Sequence, residues 1–130
     1  MITELVKGGA VTNSAGELLR TGAVVWLENI IVFAMLYWEL DSAGPAARLY
    51  RTRAHPDFAF PQHMNPDVTA PGWRPVFWDY LYLGYTNAVA FSPTDAMPLT
   101  RRAKALMAAE CTLSAVALLL VAARAVNILK

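Results

Sequence analysis

The stretch Gly22-Ala-Val-Val-Trp-Leu-Glu28-Asn29-Ile-Ile-Val-Phe-Ala-Met-Leu36 decides the fold class. It lies in an apolar block, Leu18–Leu40, whose length and lack of breakers predict one helix over 18–40. At ~1.5 Å per residue such a helix reaches ~35 Å, enough to cross a ~30 Å hydrocarbon layer with some tilt. Tyr37, Trp38 and Glu39 come at its far end, as an aromatic belt and a polar exit would. The alternative is a buried helix of a soluble bundle. That helix would need charges at helical spacing on its outer face, and only Glu28 and Asn29 interrupt the run. The stretch therefore reads as membrane-crossing.

Composition agrees. Hydrophobic residues make up 56% of the 130 positions and charged residues 16%, against ~45–50% and ~25% in soluble domains. A second apolar block, Ala103–Leu129, carries the rest of the excess. The net charge of +1 gives no global field toward nucleic acid. The single cysteine, Cys111, excludes an internal disulfide and reads as a small packing residue. Residues 1–17 carry Glu4, Lys7 and a Gly-Gly pair before any apolar run, so no cleaved signal peptide is read there. The Ser14 to Glu17 spacing could form a capping box.

Between the blocks, residues 41–75 hold Pro45, Pro56, Pro61, Pro66, Pro71 and Pro75. This spacing forbids a long helix and predicts an extended, partly polyproline-like excursion outside the membrane. His55, His63, Asp57 and Asp67 fall here without a metal-ligand spacing and read as solvated loop residues. Residues 76–91 are apolar and aromatic but too short to cross and return. They read as a re-entrant helix, tolerated only where protein or a water-filled cavity satisfies its backbone. A turn over 92–99 leads to the last helix, 100–129, with Thr100 as its N-cap.

The fold class expected is thus an all-α membrane protein of one domain, a multi-pass protein of the cell membrane. Two transmembrane helices flank a proline-rich loop and a short re-entrant pore-type helix. Glu28, Asn29, Glu110, Arg124 and Asn127 fall within the apolar blocks, and intramembrane polar groups should face protein or water and find partners. Arg124 could snorkel to the headgroups, or pair with Glu28 if antiparallel helices bring the two to similar depths. The many alanines of the last helix favour close packing against other helices.

The stretch DYLYLGYTNAVAFSPTDAMPLTRRAKALMAAE, Asp79–Glu110, resembles the pore region of bacterial potassium channels. In that family a short pore helix leads to a TVGYGD filter, then a proline, a threonine, a basic residue and the inner helix. In register, Ala90, Phe91, Ser92, Pro93, Thr94 and Asp95 occupy the filter, while Pro98, Thr100 and Arg101/Arg102 match the residues between filter and inner helix. From about Gly22 onward the chain also resembles a group of uncharacterised actinobacterial membrane proteins. The shared features are Tyr-Trp-Glu-Leu-Asp, Gly-Pro-Ala-Ala-Arg, Pro-Gly-Trp-Arg-Pro and Phe-Ser-Pro-Thr-Asp. Members tend to be longer, so the chain could be a short version or a fragment.

The resemblance implies a pore-domain architecture and a homo-oligomer, a tetramer if each copy gives one loop to a shared axis. It does not imply potassium selectivity. Ser92 and Thr94 stand where the filter needs glycines, and Pro93 fixes φ between them. The expected function is an ion-channel-like pore that is not potassium-selective. The alternative is a non-conducting structural or regulatory membrane subunit. No catalytic grouping, metal site or cofactor motif appears, so no enzyme, cofactor or nucleic-acid partner is expected; the lipid bilayer is. Basic residues between the helices (Arg48, Arg51, Arg53, Arg74, Arg101, Arg102, Lys104) would place that loop inside by charge, whereas the channel resemblance places it outside.

Overall fold

A computed structural model describes residues 15–50, 55–90 and 95–129. The protein is mostly helical. Helix α1 covers Ala15–Leu40 and is followed by a 3₁₀ turn, Asp41–Ala43, and a short α2, Pro45–Tyr50. Strand β1 (Phe58–Ala59), α3 (Pro61–Met64) and a 3₁₀ turn (Pro66–Val68) complete the loop. Then come α4 (Phe77–Ala90), β2 (Met97–Pro98) and α5 (Arg101–Leu129). Both α1 and α5 are long and apolar enough to cross a membrane.

The loop differs from the extended excursion expected. Pro45, Pro61 and Pro66 each open a helical turn, because proline's fixed φ suits the first helical position and its missing N–H is not needed there. The ends of α1 add two points. Ser14, the supposed cap, lies outside the described residues. At the other end α1 stops abruptly, with Ser42 at φ 54°, Ala43 at φ 68° and Gly44 at φ 103°, left-handed conformations that cannot continue a right-handed helix.

The chain forms two compact units. One combines α1 up to Asn29 with α5 from Thr112. Its core is Leu18, Val25 and Ala117, backed by Leu120, Val121, Ala125 and Ile128. A Cβ at Gly22 would collide with Val121, and the Asn29 amide donates to Ser114 Oγ at 2.9 Å. These two contacts fix an antiparallel register for the pair of segments.

The other unit spans Ile30–Cys111. Phe33, Tyr37, Phe58, Phe60, Tyr80, Leu83, Ala96, Ala103 and Met107 make its core. Tyr37 meets Phe58, and Phe60 meets Tyr80, edge to face with ring centres 5.3 Å apart. Within this unit α4 begins beside the end of α1, where the Tyr80 hydroxyl donates to Asp41 at 2.6 Å. A Cβ at Gly84 would lie 3.2 Å from the Ile30 carbonyl oxygen, so any larger residue would have to push the two backbones apart by a few tenths of an ångström. Three residues on, Asn87 bonds the Met107 carbonyl. By Met97–Pro98 the chain is back against Phe58–Ala59 in an antiparallel pair, and the Leu99 N–H donates to Asp57 at 2.7 Å.

Candidate functional site

Glu110 sits on α5, fully buried. The register of α5 turns it, with Ala103 and Met107, toward α1 and α4. Its Oε1 accepts the Tyr37 hydroxyl at 2.7 Å and the Asn87 amide at 2.8 Å. Asn87 in turn accepts the Cys111 thiol at 3.1 Å on Oδ1 and donates to the Met107 carbonyl at 3.0 Å. A carboxyl, a phenol, an amide and a thiol from three helices therefore close one polar network in an apolar core. A buried polar group costs free energy unless it is bonded in this way. The bonds of this network hold a carboxyl group inside an apolar core.

A second polar knot joins the loop to the helix ends. Buried Asp41 accepts the backbone N–H groups of Asp57 and Phe58 on Oδ1 at 2.8 and 3.1 Å, and Tyr80 on Oδ2. Arg48 donates to the Asp41 carbonyl and lies over the Tyr80 ring, 4.9 Å from its centre. Asp57, also buried, receives Thr100 at 2.6 Å and a forked pair from Arg102 at 2.8 and 2.9 Å. Burial would raise the Asp57 carboxyl, but these bonds, the Ser42 N–H and the Arg102 charge hold it below the usual carboxylate range. Thr100 also caps α5, accepting the Ala103 N–H at 3.2 Å.

The structure distributes the sequence-derived candidates unevenly. Of the intramembrane polar residues, Asn29 and Glu110 face inward with partners, whereas Glu28 and Asn127 are exposed and Arg124 is half-buried. The expected Glu28–Arg124 ion pair is absent among the described residues. The Gly22–Val121 and Asn29–Ser114 contacts set Glu28 level with Ala115, nine residues from Arg124, or about 13 Å along the axis. In the filter-like turn, Phe91, Ser92, Pro93 and Thr94 lie outside the described residues. Ala90 ends α4 and is exposed. Asp95 is half-buried, and burial followed by the neighbouring charge of Asp79 pushes its carboxyl up.

Two readings of side chains are corrected. Tyr37 is not part of an aromatic belt; it is fully buried because Glu110 needs its hydroxyl. Asp57 is not a solvated loop residue, since it anchors β1 to the start of α5; His55, His63 and Asp67 are exposed. Asn87, Gly84 and Asp41 escaped the sequence reading, and the only signal was polar or glycine residues on apolar segments. Among the described residues, no three His, Cys, Asp or Glu side chains gather as a metal site would need. A shallow hollow of about 210 Å³ is lined by Gln62, His63, Thr69 and Trp73 among others, and the His63 and Trp73 rings meet edge to face at 4.9 Å. No family model, curated protein or solved structure matches the chain.

Proposed function

We propose that the chain is an integral membrane subunit of pore-domain type, in which α1 and α5 cross the bilayer and α4 enters part-way and returns. One observation carries this: the two long helices turn Asn29, Ser114 and Glu110 inward and large apolar side chains outward. Leu19, Leu27, Ile31, Val32 and Met35 on α1, and Leu113, Val116, Leu118, Leu119 and Val126 on α5, are exposed. Water would penalise such a surface and hydrocarbon would not. The path of α4 supports the re-entrant reading, because it runs from Asp41 at the end of α1 to Asn87 beside Met107, and the chain is back at the loop by Met97. Copies assembled about an axis would each contribute one such turn. The conducted ion is not potassium selected by a carbonyl ladder, since Ser92, Pro93 and Thr94 replace the required glycines.

The burial of Glu110 wholly inside one copy favours a second reading, a non-conducting structural or regulatory subunit whose polar core only holds α4 in place. Carbonate extraction of expressing membranes, followed by ion flux in liposomes containing the purified chain, tests both. Retention in the membrane with flux that does not favour potassium over sodium is expected of a pore. Retention without flux leaves the structural subunit, and release as a soluble monomer ends both.

A further inference from the structure

The proline-rich loop holds a hollow of about 210 Å³ that the pore-type reading does not use. Part of its lining comes from α3, which carries Gln62 and His63. Another part is a turn closed by the Trp73 N–H on the Ala70 carbonyl at 3.2 Å. Pro71 and Gly72 stand in the middle of that turn, with Gly72 at φ 74°, as a type II turn needs. The turn brings Trp73 back against His63, and the two rings meet Phe60 of the core at 5.8 and 6.3 Å. The Thr69 hydroxyl ties the approach to the turn onto the preceding segment, donating to the Gln62 and Asn65 carbonyls at 3.1 and 2.8 Å.

The lining decides what could enter. Among the described residues no Asp, Glu, Lys or Arg lines the hollow, so neither a cation nor an anion would meet an opposite charge there. Pro66, Pro71 and Trp73 give it carbon surface with little freedom to lose on binding. Against that surface stands one polar group without a match: Gln62 Oε1 is enclosed in protein and accepts no hydrogen bond among the described residues. An enclosed acceptor without a donor is costly, and rotation of the flexible Gln62 side chain would carry its amide to a donor in the hollow. A hydroxyl suits either side of that amide, since it both donates and accepts. The volume falls below the ~300–1,000 Å³ of sites for drug-sized ligands, which fits a single small ring.

We propose that the hollow binds one neutral sugar ring, at the end of a glycan or in the headgroup of a glycolipid. A pyranose joins the two properties the lining asks for. Its C–H faces pack on proline carbon and on the negative faces of aromatic rings. Its hydroxyls stand around the rim, where the Gln62 amide can meet one. Because the hollow is shallow, the rest of the glycan or lipid extends outward from it. The inference concerns the loop alone and holds whether or not the chain conducts.

The test uses the full chain in phosphatidylcholine liposomes and saturation-transfer NMR with the methyl glycosides of glucose, galactose, mannose and N-acetylglucosamine. At least one is expected to bind saturably, and Gln62→Leu and Trp73→Phe are each expected to weaken it at least several-fold. Gln62→Leu removes the enclosed acceptor, so its melting midpoint should not fall, which separates lost binding from lost folding. Trp78→Phe, at an exposed aromatic outside the hollow, should bind as the native chain does. Liposomes that also contain a diacylglycerol carrying the bound sugar assign the source: loss of glycoside binding identifies a lipid headgroup, and retained binding a soluble glycan. No saturable binding by any of the glycosides, or binding that either Gln62→Leu or Trp73→Phe leaves unchanged, overturns the inference and leaves the hollow to water.

Discussion

The Tyr37 hydroxyl donates to Glu110 Oε1 at 2.7 Å, joining the end of one long helix to the interior of the other across 73 residues of sequence. Asn87 of α4 shares the same oxygen, so the carboxyl group is the point at which three helices are registered. Removing one partner of a buried bond leaves the desolvation cost of the other, about 1–3 kcal/mol. Tyr37→Phe should therefore lower the thermal midpoint of the detergent-solubilised protein by several degrees. Glu110→Gln, which keeps an acceptor oxygen for both donors, should cost less than Glu110→Ala. Equal losses for these two would show that side-chain volume, and not the acceptor, is what the core requires.

Asp57 gives a pH dependence of definite sign. Its carboxyl is held below the usual carboxylate range in the folded chain, so the folded state takes up this proton less readily than the unfolded one. The stabilisation is complete above the ordinary carboxylate value and is lost as pH falls through the lowered folded value. Melting measured from pH 7 down to pH 3 should show a larger loss for the native chain than for Asp57→Asn, which has already given up the Arg102 ion pair. Parallel curves would dissociate Asp57 from the acid response. Arg102 is 58% exposed, so its contribution is screened by solvent, and the part-buried hydrogen bonds from Thr100 and Ser42 add to it.

Gly22 and Val121 should behave as a coupled pair. A Cβ at position 22 overlaps the Val121 side chain, and valine in a helix has one strongly preferred rotamer with which to yield. Gly22→Ala should destabilise by about 1–3 kcal/mol, as overpacking does, and Val121→Ala should restore part of that loss. A thermal-melt double-mutant cycle that comes out additive would mean the helices simply move apart.

Glu28 and Arg124, by contrast, should be uncoupled. Their levels differ by about 13 Å in the register set by Asn29 and Ser114. The effects of Glu28→Gln and Arg124→Gln on thermal unfolding should add within ~0.5 kcal/mol. A coupling energy well above that would require an axial shift of one helix past the other.

Much of the architecture was legible because it depends on properties each residue carries alone. Apolar length set α1 and α5, and proline spacing excluded a long helix between Asp41 and Pro75. The shortness of the apolar run limited α4, and the Thr100 side chain capped α5 as its identity suggested. The candidate site was legible only in outline. Glu110 and Asn29 stand out as polar residues in apolar runs, but Tyr37 reads equally well as an interfacial aromatic, and Asn87 as an ordinary polar residue of a short helix.

What the sequence determined by itself is therefore which segments are long helices and which side chains would be costly to leave unpartnered, since transfer free energy and backbone preference are local. Only the tertiary structure decided the pairings. Tyr37 and Asn87 reached Glu110 because Gly84 lets α4 approach α1, and Asp57 reached Thr100 and Arg102 because β1 pairs with β2. Glu28 missed Arg124 because Gly22 and Val121 set the register nine residues away. A hydrogen bond depends on ångström-scale placement of two distant parts of the chain, and that placement is fixed by the packing of every residue between them.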